Sequence, residues 1–183
     1  MLPKRFLLKP FPGEGNPDGL TIGGSIARDA DTLSVLYEVR GNLSKILLPA
    51  AAETPRRQDR LWEETCFELF LGTADSGEYR ELNLSPSGHW NVYRFTRYRE
   101  GMREEESVTS LPIDVRTGHD LLDLSMALDV GKILPAGAAI VAGVAAVIGT
   151  IGGGKCHWAL AHPASRPDFH RRDGFVLNLP GEG

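Results

Sequence analysis

Apolar and polar residues alternate along much of the chain with a period of two, which is typical of β-strands. The clearest case is residues 32–40, where Leu33, Val35, Tyr37 and Val39 share one face. Further strands are predicted at 2–8, 20–27, 43–48, 121–128, 140–148, 156–161 and 175–179. Many short strands separated by turn residues predict an all-β sandwich of about nine to eleven strands.

The middle of the chain, residues 56–99, contains three more predicted strands, separated by turns at 75–77 and 85–88. If these strands form a meander, their faces must agree, because a shift of one residue turns every side chain over. The core face then consists of Phe67, Leu69, Leu71, Leu82, Leu84, Tyr93 and Phe95. The opposite face gathers Trp62, Glu64, Glu68, Glu81, Asn83, Trp90 and Arg94.

The side chains on this second face are of the kinds that bind polyhydroxylated ligands. Carboxylates and guanidinium groups make charge-assisted hydrogen bonds to hydroxyls, and an indole offers a flat apolar surface with one donor. A solvated outer face with cross-strand ion pairs would have a similar composition. Exposed tryptophans favour a binding site over that alternative.

Three segments carry a resemblance to a known family: LWEETCFELFL (61–71), YRELNLSPSGHWNVYRFTRYREGM (79–102), and HWALAHP (157–163) with PDFH (167–170). They resemble the bacterial DOMON-like ligand-binding domains, which are related to the family 9 carbohydrate-binding modules. The similarity runs from about Leu33 to Leu179. It implies a jelly-roll-like β-sandwich of antiparallel strands that binds a sugar or, in some DOMON relatives, haem.

The resemblance also implies roles for individual residues. In the family 9 modules a reducing-end sugar lies between two tryptophans. Trp62 and Glu68 match the WxxxxxE pattern that supplies the first, and Trp158 is the candidate for the second. We therefore expect a non-catalytic site for a sugar or a similar small molecule. We expect Glu68, Glu81, Asn83 and Arg94 to bond the ligand's hydroxyls, and Trp90 or His162 to shape the rim of the site.

Length and charge narrow the possible partners. A chain of 183 residues fits one domain, predicted to span residues 1–183. The net charge of −4 gives no electrostatic reason to expect a nucleic acid or an anionic membrane as partner.

Cys66 and Cys156 are expected to be buried free thiols, as in a reducing cytosol. The apolar run at the N-terminus is too short for a signal peptide, so we expect a cytoplasmic protein.

The uncharged residues 133–154 resemble a membrane span in hydropathy. Pro135 interrupts them, and Gly, Ala and Val dominate. A sandwich-core strand followed by a glycine turn is therefore predicted instead of a membrane span.

The string GTIGGGKC at 149–156 nearly matches a phosphate-binding loop. Cys156 occupies the position of the required hydroxyl and no helix follows, so a hairpin loop is predicted.

Two alternative functions remain open at this point. Metal binding would use His157, His162 and His170 with Cys156 and Asp168, whose spacing matches no recognised zinc pattern. Haem binding would use His89, Met102 or Met126, which show no defining spacing. Calcium, a structural ion in some related modules, is assigned to no residue, and no cofactor is predicted.

A glycoside-processing enzyme would pair Glu64 or Glu68 with Glu81. Carboxylates on a flat sheet lack the apolar pocket that raises one pKa, so we do not expect an enzyme.

Overall fold

The strands follow one another along the chain with few helical interruptions. The computed structural model describes residues 2–16 and 19–181. Within these residues the strands are β1 (Lys4–Leu7), β2 (Lys9–Pro10), β3 (Thr21–Asp29), β4 (Thr32–Arg40), β5 (Cys66–Gly72), β6 (Tyr79–Leu84), β7 (Trp90–Phe95), β8 (Arg103–Glu104), β9 (Ile113–Thr117), β10 (Leu121–Asp129), β11 (Ile140–Gly149), β12 (Lys155–Ala159) and β13 (Leu177–Leu179). Short 3-10 turns lie at Leu43–Lys45, Leu61–Glu63, Val130–Lys132 and Arg172–Gly174.

These strands form two antiparallel sheets. The first has five strands in the order β1-β3-β4-β10-β9, and the second has eight, in the order β2-β12-β11-β5-β6-β7-β8 with β13 paired to β11. The predicted all-β sandwich is confirmed. Three described strands were not predicted: β2 and β8, which have two residues each and are too short to show alternation, and β9. The strand predicted at 43–48 is wrong, because the chain forms a 3-10 turn at Leu43–Lys45 there.

The main hydrophobic core lies between the two sheets. Leu33, Val35, Tyr37 and Val39 of β4 are all buried in it, as their alternation predicts. The Tyr37 hydroxyl donates a hydrogen bond to the backbone carbonyl of Glu68 across the core, at 2.8 Å. This bond ties the first sheet to the strand that carries a candidate site residue.

The predicted meander of β5, β6 and β7 is present, but the face predicted for β7 is wrong. Leu84 pairs with Trp90, so Trp90 points into the core and Tyr93 and Phe95 point outward. Both parities of β7 contain large apolar residues, so the pattern alone does not decide between them. The turn at 85–89 decides it, because its length sets which residue of β7 lies opposite Leu84.

The central strands of the second sheet are buried on both faces. Every residue of β5 and β6 is buried. The 3-10 turn at Leu61–Glu63 and the segment 161–176 lie over the outer face, where a second hydrophobic cluster forms. Gly143 makes room for this cover, since a Cβ atom there would lie 3.0 Å from the ring of Phe175. The cluster contains Phe70, Tyr79, Tyr93, Phe95, Ala145, Ala159 and Phe175, with Trp62, Val141 and Phe169 packed against it.

Two further predictions about the chain are confirmed. Residues 150–154 form the loop of a β-hairpin, because Gly149 pairs with Lys155 across it. Cys66 and Cys156 are buried and not bonded to each other. As for the uncharged stretch at 133–154, the described residues contain no helix that is both long and apolar enough to span a membrane.

Candidate functional site

A cleft of about 390 Å³ opens on the outer face of the second sheet. Its floor is the sheet itself, and its walls come from the loop 96–102 and the segment 161–176. Its polar lining includes Glu68, Glu81, Arg99, Lys155, Asp168 and His170. The mixture of buried carboxylates with cationic and aromatic groups makes this cleft the candidate site.

Two glutamates form the floor of the cleft. Glu68 on β5 lies opposite Asn83, and Glu81 on β6 lies opposite Phe70, so the two carboxylates are diagonal neighbours on one face. Each residue is only 4% exposed. Asn83 donates a hydrogen bond to Glu81 Oε1 at 2.8 Å, whereas Glu81 Oε2 is buried without a hydrogen-bond partner in the described part of the chain. The prediction that Glu68, Glu81 and Asn83 share a face is confirmed.

Burial changes the acid–base behaviour of both glutamates. Loss of hydration raises the pKa of Glu81 from 4.5 to about 7. Burial and then the nearby charge of Glu81 raise the pKa of Glu68 well above its ordinary value. The expectation that this sheet face lacks an apolar pocket is therefore wrong, because the covering segments, which come from elsewhere in the chain, create one.

His170 stands beside Glu81 as a neutral imidazole. Burial and the positive charge of Arg99 lower the pKa of His170 to about 4. The Tyr79 hydroxyl accepts a hydrogen bond from the Arg99 backbone N–H at 3.1 Å and lies 2.8 Å from His170 Nδ1. In the tautomer in which this hydroxyl donates to Nδ1, the imidazole proton is on Nε2, which lies 3.8 Å from Glu81 Oε2.

Asp168 anchors the segment that covers the sheet. It accepts hydrogen bonds from Arg99 at 2.8 Å, from the Tyr98 hydroxyl at 2.5 Å and from the His170 backbone N–H at 3.3 Å. Burial alone would raise the pKa of Asp168, but the bonds from Tyr98 and Arg99 outweigh it and lower that pKa. This cluster holds His170 over the glutamates.

Aromatic rings complete the lining of the cleft. Trp62 sits on the 3-10 turn before β5, partly buried, with its ring edge-on to Tyr93 at a centroid distance of 5.7 Å. Phe169 comes from the covering segment and packs against Phe70 at 6.5 Å. Both rings line the cleft, together with Phe95.

Two of the predicted tryptophans lie outside the cleft. Trp158 pairs with Ala146 and is 2% exposed in the core between the sheets, so it cannot close over a ligand on the outer face. Trp90 is buried in the same core, with the Arg57 guanidinium 4.6 Å from the centre of its ring. The placement predicted for both is wrong, because β7 and β12 turn these side chains inward.

Arg94 and His162 also lie elsewhere. Arg94 donates to both carboxylate oxygens of Glu78 at 3.0 Å, and it lines a different depression, with Arg103. His162 Nε2 hydrogen-bonds the Lys9 carbonyl oxygen at 2.9 Å. Of the eight predicted site residues, the structure brings Trp62, Glu68 and Glu81 together, with Asn83 bonded to Glu81.

The strand pattern did not assign the loop residues of the cleft to the sugar site, although Asp168 and His170 were among the candidate metal ligands. Arg99, Asp168, Phe169 and His170 all line the cleft. None of them lies on an alternating strand, so the face argument did not reach them. The signal was present in the motifs PDFH at 167–170 and TRYREGM at 96–102, which the resemblance had already singled out.

The residues considered as haem ligands do not converge. Met102 lines the cleft, whereas Met126 is buried between the sheets and His162 bonds to Lys9. His89 Nδ1 accepts a hydrogen bond from the Arg56 backbone, outside the cleft. Across residues 2–16 and 19–181, no group of three or more His, Cys, Asp or Glu side chains is arranged to hold a metal ion. These four residues, considered as haem or metal ligands, therefore do not share one site.

Comparison with solved structures identifies the fold. No family model matches the chain, and no curated protein matches it. A candidate carbohydrate-binding protein from Bacteroides uniformis matches with a TM-score of 0.71 and 15% identity, over 94% of this chain and 84% of that one.

A family 9 carbohydrate-binding module from Caldicellulosiruptor kristjanssonii matches as well. Its complex with glucose gives a TM-score of 0.55 at 12% identity, covering 92% of this chain and 80% of that one. Its complex with cellotriose gives 0.51 at 12% identity, covering 89% and 75%. The chain therefore has a β-sandwich fold like that of the family 9 carbohydrate-binding modules.

Proposed function

We propose that this protein binds a small saccharide, without catalysis, in the cleft on the outer face of the second sheet. The observation that carries the proposal is the pair of buried glutamates, Glu68 and Glu81, on the floor of a cleft that Trp62 also lines. Buried carboxylates need donors, and a saccharide supplies several hydroxyls at short spacing.

The Oε2 atom of Glu81 offers an acceptor to a hydrogen-bond donor of the ligand, such as a hydroxyl group. Glu81 Oε2 lacks a partner within the described residues, and His170 Nε2 lies 3.8 Å from it. That distance is too long for a direct hydrogen bond. A ligand hydroxyl between the two atoms would accept from His170 and donate to Glu81. A hydroxyl can do both at once, because it carries one donor and two acceptor lone pairs.

The aromatic lining supports the same ligand class. Sugar rings present C–H faces that pack on flat aromatic surfaces, and Trp62 offers such a surface at the edge of the carboxylate floor. The fold adds support, since the similar module from Caldicellulosiruptor kristjanssonii was solved with glucose and with cellotriose.

Binding explains the arrangement better than hydrolysis does. A raised carboxyl pKa is what a general acid needs, which favours a glycosidase as a second candidate. Glycosidases place their two carboxyl groups on either side of the scissile bond. Glu68 and Glu81 project side by side from adjacent strands of one sheet, so both would approach a bound ring from the same side.

Tryptophan fluorescence with a panel of mono- and disaccharides tests the proposal. Trp90 and Trp158 are buried between the sheets, so a ligand in the cleft should quench mainly Trp62. Calorimetry should show that Trp62→Ala weakens binding by about two- to tenfold, the scale of one lost aromatic contact, while Trp62→Phe retains most of it. His162→Ala, outside the cleft, should bind as the parent does. A folded protein that binds no saccharide at millimolar concentration would refute the proposal.

A reducing-end assay separates the second candidate. If the cleft hydrolyses glycosides, the parent protein should release reducing sugar and Glu68→Gln should stop that release while remaining folded. We expect no release from the parent protein under conditions in which a saccharide is bound.

A further inference from the structure

Some ionisable groups of the cleft have an ionic partner, whereas the two glutamates of its floor have none that the structure describes. Arg99 is bonded to Asp168 at 2.8 Å, and His157 Nδ1 is 2.9 Å from Glu14. His170 is neutral, because burial and the charge of Arg99 lower its pKa. Glu68 and Glu81 have no such counter-ion within hydrogen-bond distance in the described part of the chain.

The remaining cation near the glutamates is Lys155, which does not neutralise them. It is an exposed residue, and its Nζ donates to the Trp62 carbonyl oxygen at 3.3 Å. Water screens an exposed ammonium far more strongly than it screens a group on the buried floor. The charge of Arg99 favours the ionised form of both glutamates and that of Lys155 favours ionised Glu68, but Arg99 is half exposed and bonded to Asp168. Among the described residues, the floor therefore holds two carboxyl groups without a directly bonded counter-ion.

The orphaned oxygen of Glu81 points to what is missing. Glu81 is 4% exposed, its Oε1 is satisfied by Asn83, and its Oε2 has no partner in the described residues although it belongs to a residue that lines the cleft. A buried acceptor without a donor is costly, and a buried carboxylate without a counter-charge is more so. A ligand that brings both a donor and a positive charge would relieve both costs.

We propose that the cleft prefers an amino sugar to a neutral one, with the protonated amine of the ligand bound between the carboxylates of Glu68 and Glu81. The inference rests on the proposed function and names the substrate class of the same site. An ammonium group has N–H donors for both carboxylates at once. When the amine binds there, the pair releases a carboxyl proton to solvent, and the ammonium replaces that proton as the positive charge.

The aromatic groups near the floor fit a cation as well as a sugar ring. Trp62 and Phe95 line the cleft together with the two glutamates. The face of an aromatic ring attracts a nearby cation, and a desolvated site strengthens the attraction. Acetylation of the amine removes its charge, so the N-acetyl form of the same sugar should lose the preference.

Calorimetry with glucosamine, N-acetylglucosamine and glucose at about pH 7 tests the inference. We expect glucosamine to bind about tenfold more tightly than either neutral sugar, the effect of one charge-assisted contact. Glu81→Gln and Glu68→Gln should each bring the ratio of affinities for glucosamine and glucose close to one. Glu38→Gln, which changes a carboxylate on the first sheet that is paired with Arg40, is the matched control and should leave the ratio unchanged.

The outcomes separate this inference from the proposed function. If glucose binds as tightly as glucosamine, the inference is overturned and the saccharide site stands. If Glu68→Gln keeps the preference, the amine is not held by this pair and the inference is overturned too. If no sugar of either class binds, both proposals are lost. Should Glu81→Gln fail to fold, the Glu68→Gln variant and the comparison of glucosamine with N-acetylglucosamine still decide the question.

Discussion

The two sheets of this sandwich differ most on their outer faces. On the first sheet, small side chains such as Ser25, Ser34 and Ser125 line an open depression of about 530 Å³. Its carboxylate, Asp114, has a side chain that is 63% exposed and ion-paired with Arg116. The cleft on the second sheet is smaller, at about 390 Å³, but it contains buried carboxylates.

This difference shows that burial beneath covering segments, and not the volume of the depression, distinguishes the candidate site. The outer face of the second sheet combines the two glutamates with apolar residues such as Phe70 and Tyr93, and the segments 61–63 and 161–176 lie over it. The cover removes water from Glu68 and Glu81 and thereby shifts their pKa upward. Four predictions test this comparison, from the largest expected effect to the smallest.

Trp158→Ala should reduce the free energy of unfolding by about 3–5 kcal/mol, because it opens a cavity in the core between the sheets. Trp62→Ala, on the covered outer face, should cost about 1 kcal/mol, since that ring is only partly buried. Urea denaturation of both variants measures the difference. Equal losses would mean that the cover over the second sheet is as tightly packed as the core.

Glu81→Gln should make the protein more stable at about pH 8, by about 1–3 kcal/mol. A carboxyl whose pKa rises from 4.5 to about 7 on folding binds more protons in the folded than in the unfolded state between those two pH values. Stability therefore falls as pH rises through this range, and the substitution removes this fall. The gain should vanish below about pH 4.5, where the group is protonated in both states. Thermal unfolding between pH 4 and 8 measures it, with Glu38→Gln as the control that should show no such trend.

Asp168→Asn weakens the ion pair with Arg99 and should destabilise the covering segment by about 1 kcal/mol at neutral pH. The loss is small because Arg99 is half exposed and water screens the pair. The pKa of Asp168 is lowered on folding, so its contribution is present at neutral pH and is lost as pH falls through that pKa. Hydrogen exchange should show faster exchange of amides in 161–176, with the first sheet unchanged. Uniform protection across both sheets would contradict the anchoring role of Asp168.

Ser34→Ala and Ser125→Ala on the first sheet should change stability by less than about 0.5 kcal/mol. Neither should alter the binding of a saccharide, because both line the uncovered face. Unfolding curves and the saccharide titration described above measure these effects. A loss of affinity in either variant would move the candidate site to the first sheet.

Alternation predicted the strands and most of their faces. β4 spans Thr32–Arg40, as the pattern predicts, and the buried faces of β4, β5 and β6 match the prediction. The buried faces of these strands could be predicted because the residues at alternate positions that face the core are consistently apolar. In β7 the parities conflict, since Trp90 and Val92 compete with Tyr93 and Phe95, and the pattern gave the wrong face.

The covering segment was harder to predict because it has no periodic pattern. Residues 161–176 contain a single short 3-10 turn, and their Phe169 and His170 contact strands distant in sequence, at Phe70 and Tyr79. The wrong placement of Trp158 has a related cause. It was matched to a family pattern, whereas the parity of β12 directs it into the core beside Cys156.

By itself, the sequence determined that the chain is a β-sandwich and that Glu68 and Glu81 lie on one face of it, because the period of two is a local property of an extended backbone. The tertiary structure alone decided that these carboxylates are buried, that His170 stands beside them and that Trp158 does not. Burial depends on which segments pack over a face, and those segments are distant along the chain from the residues they cover.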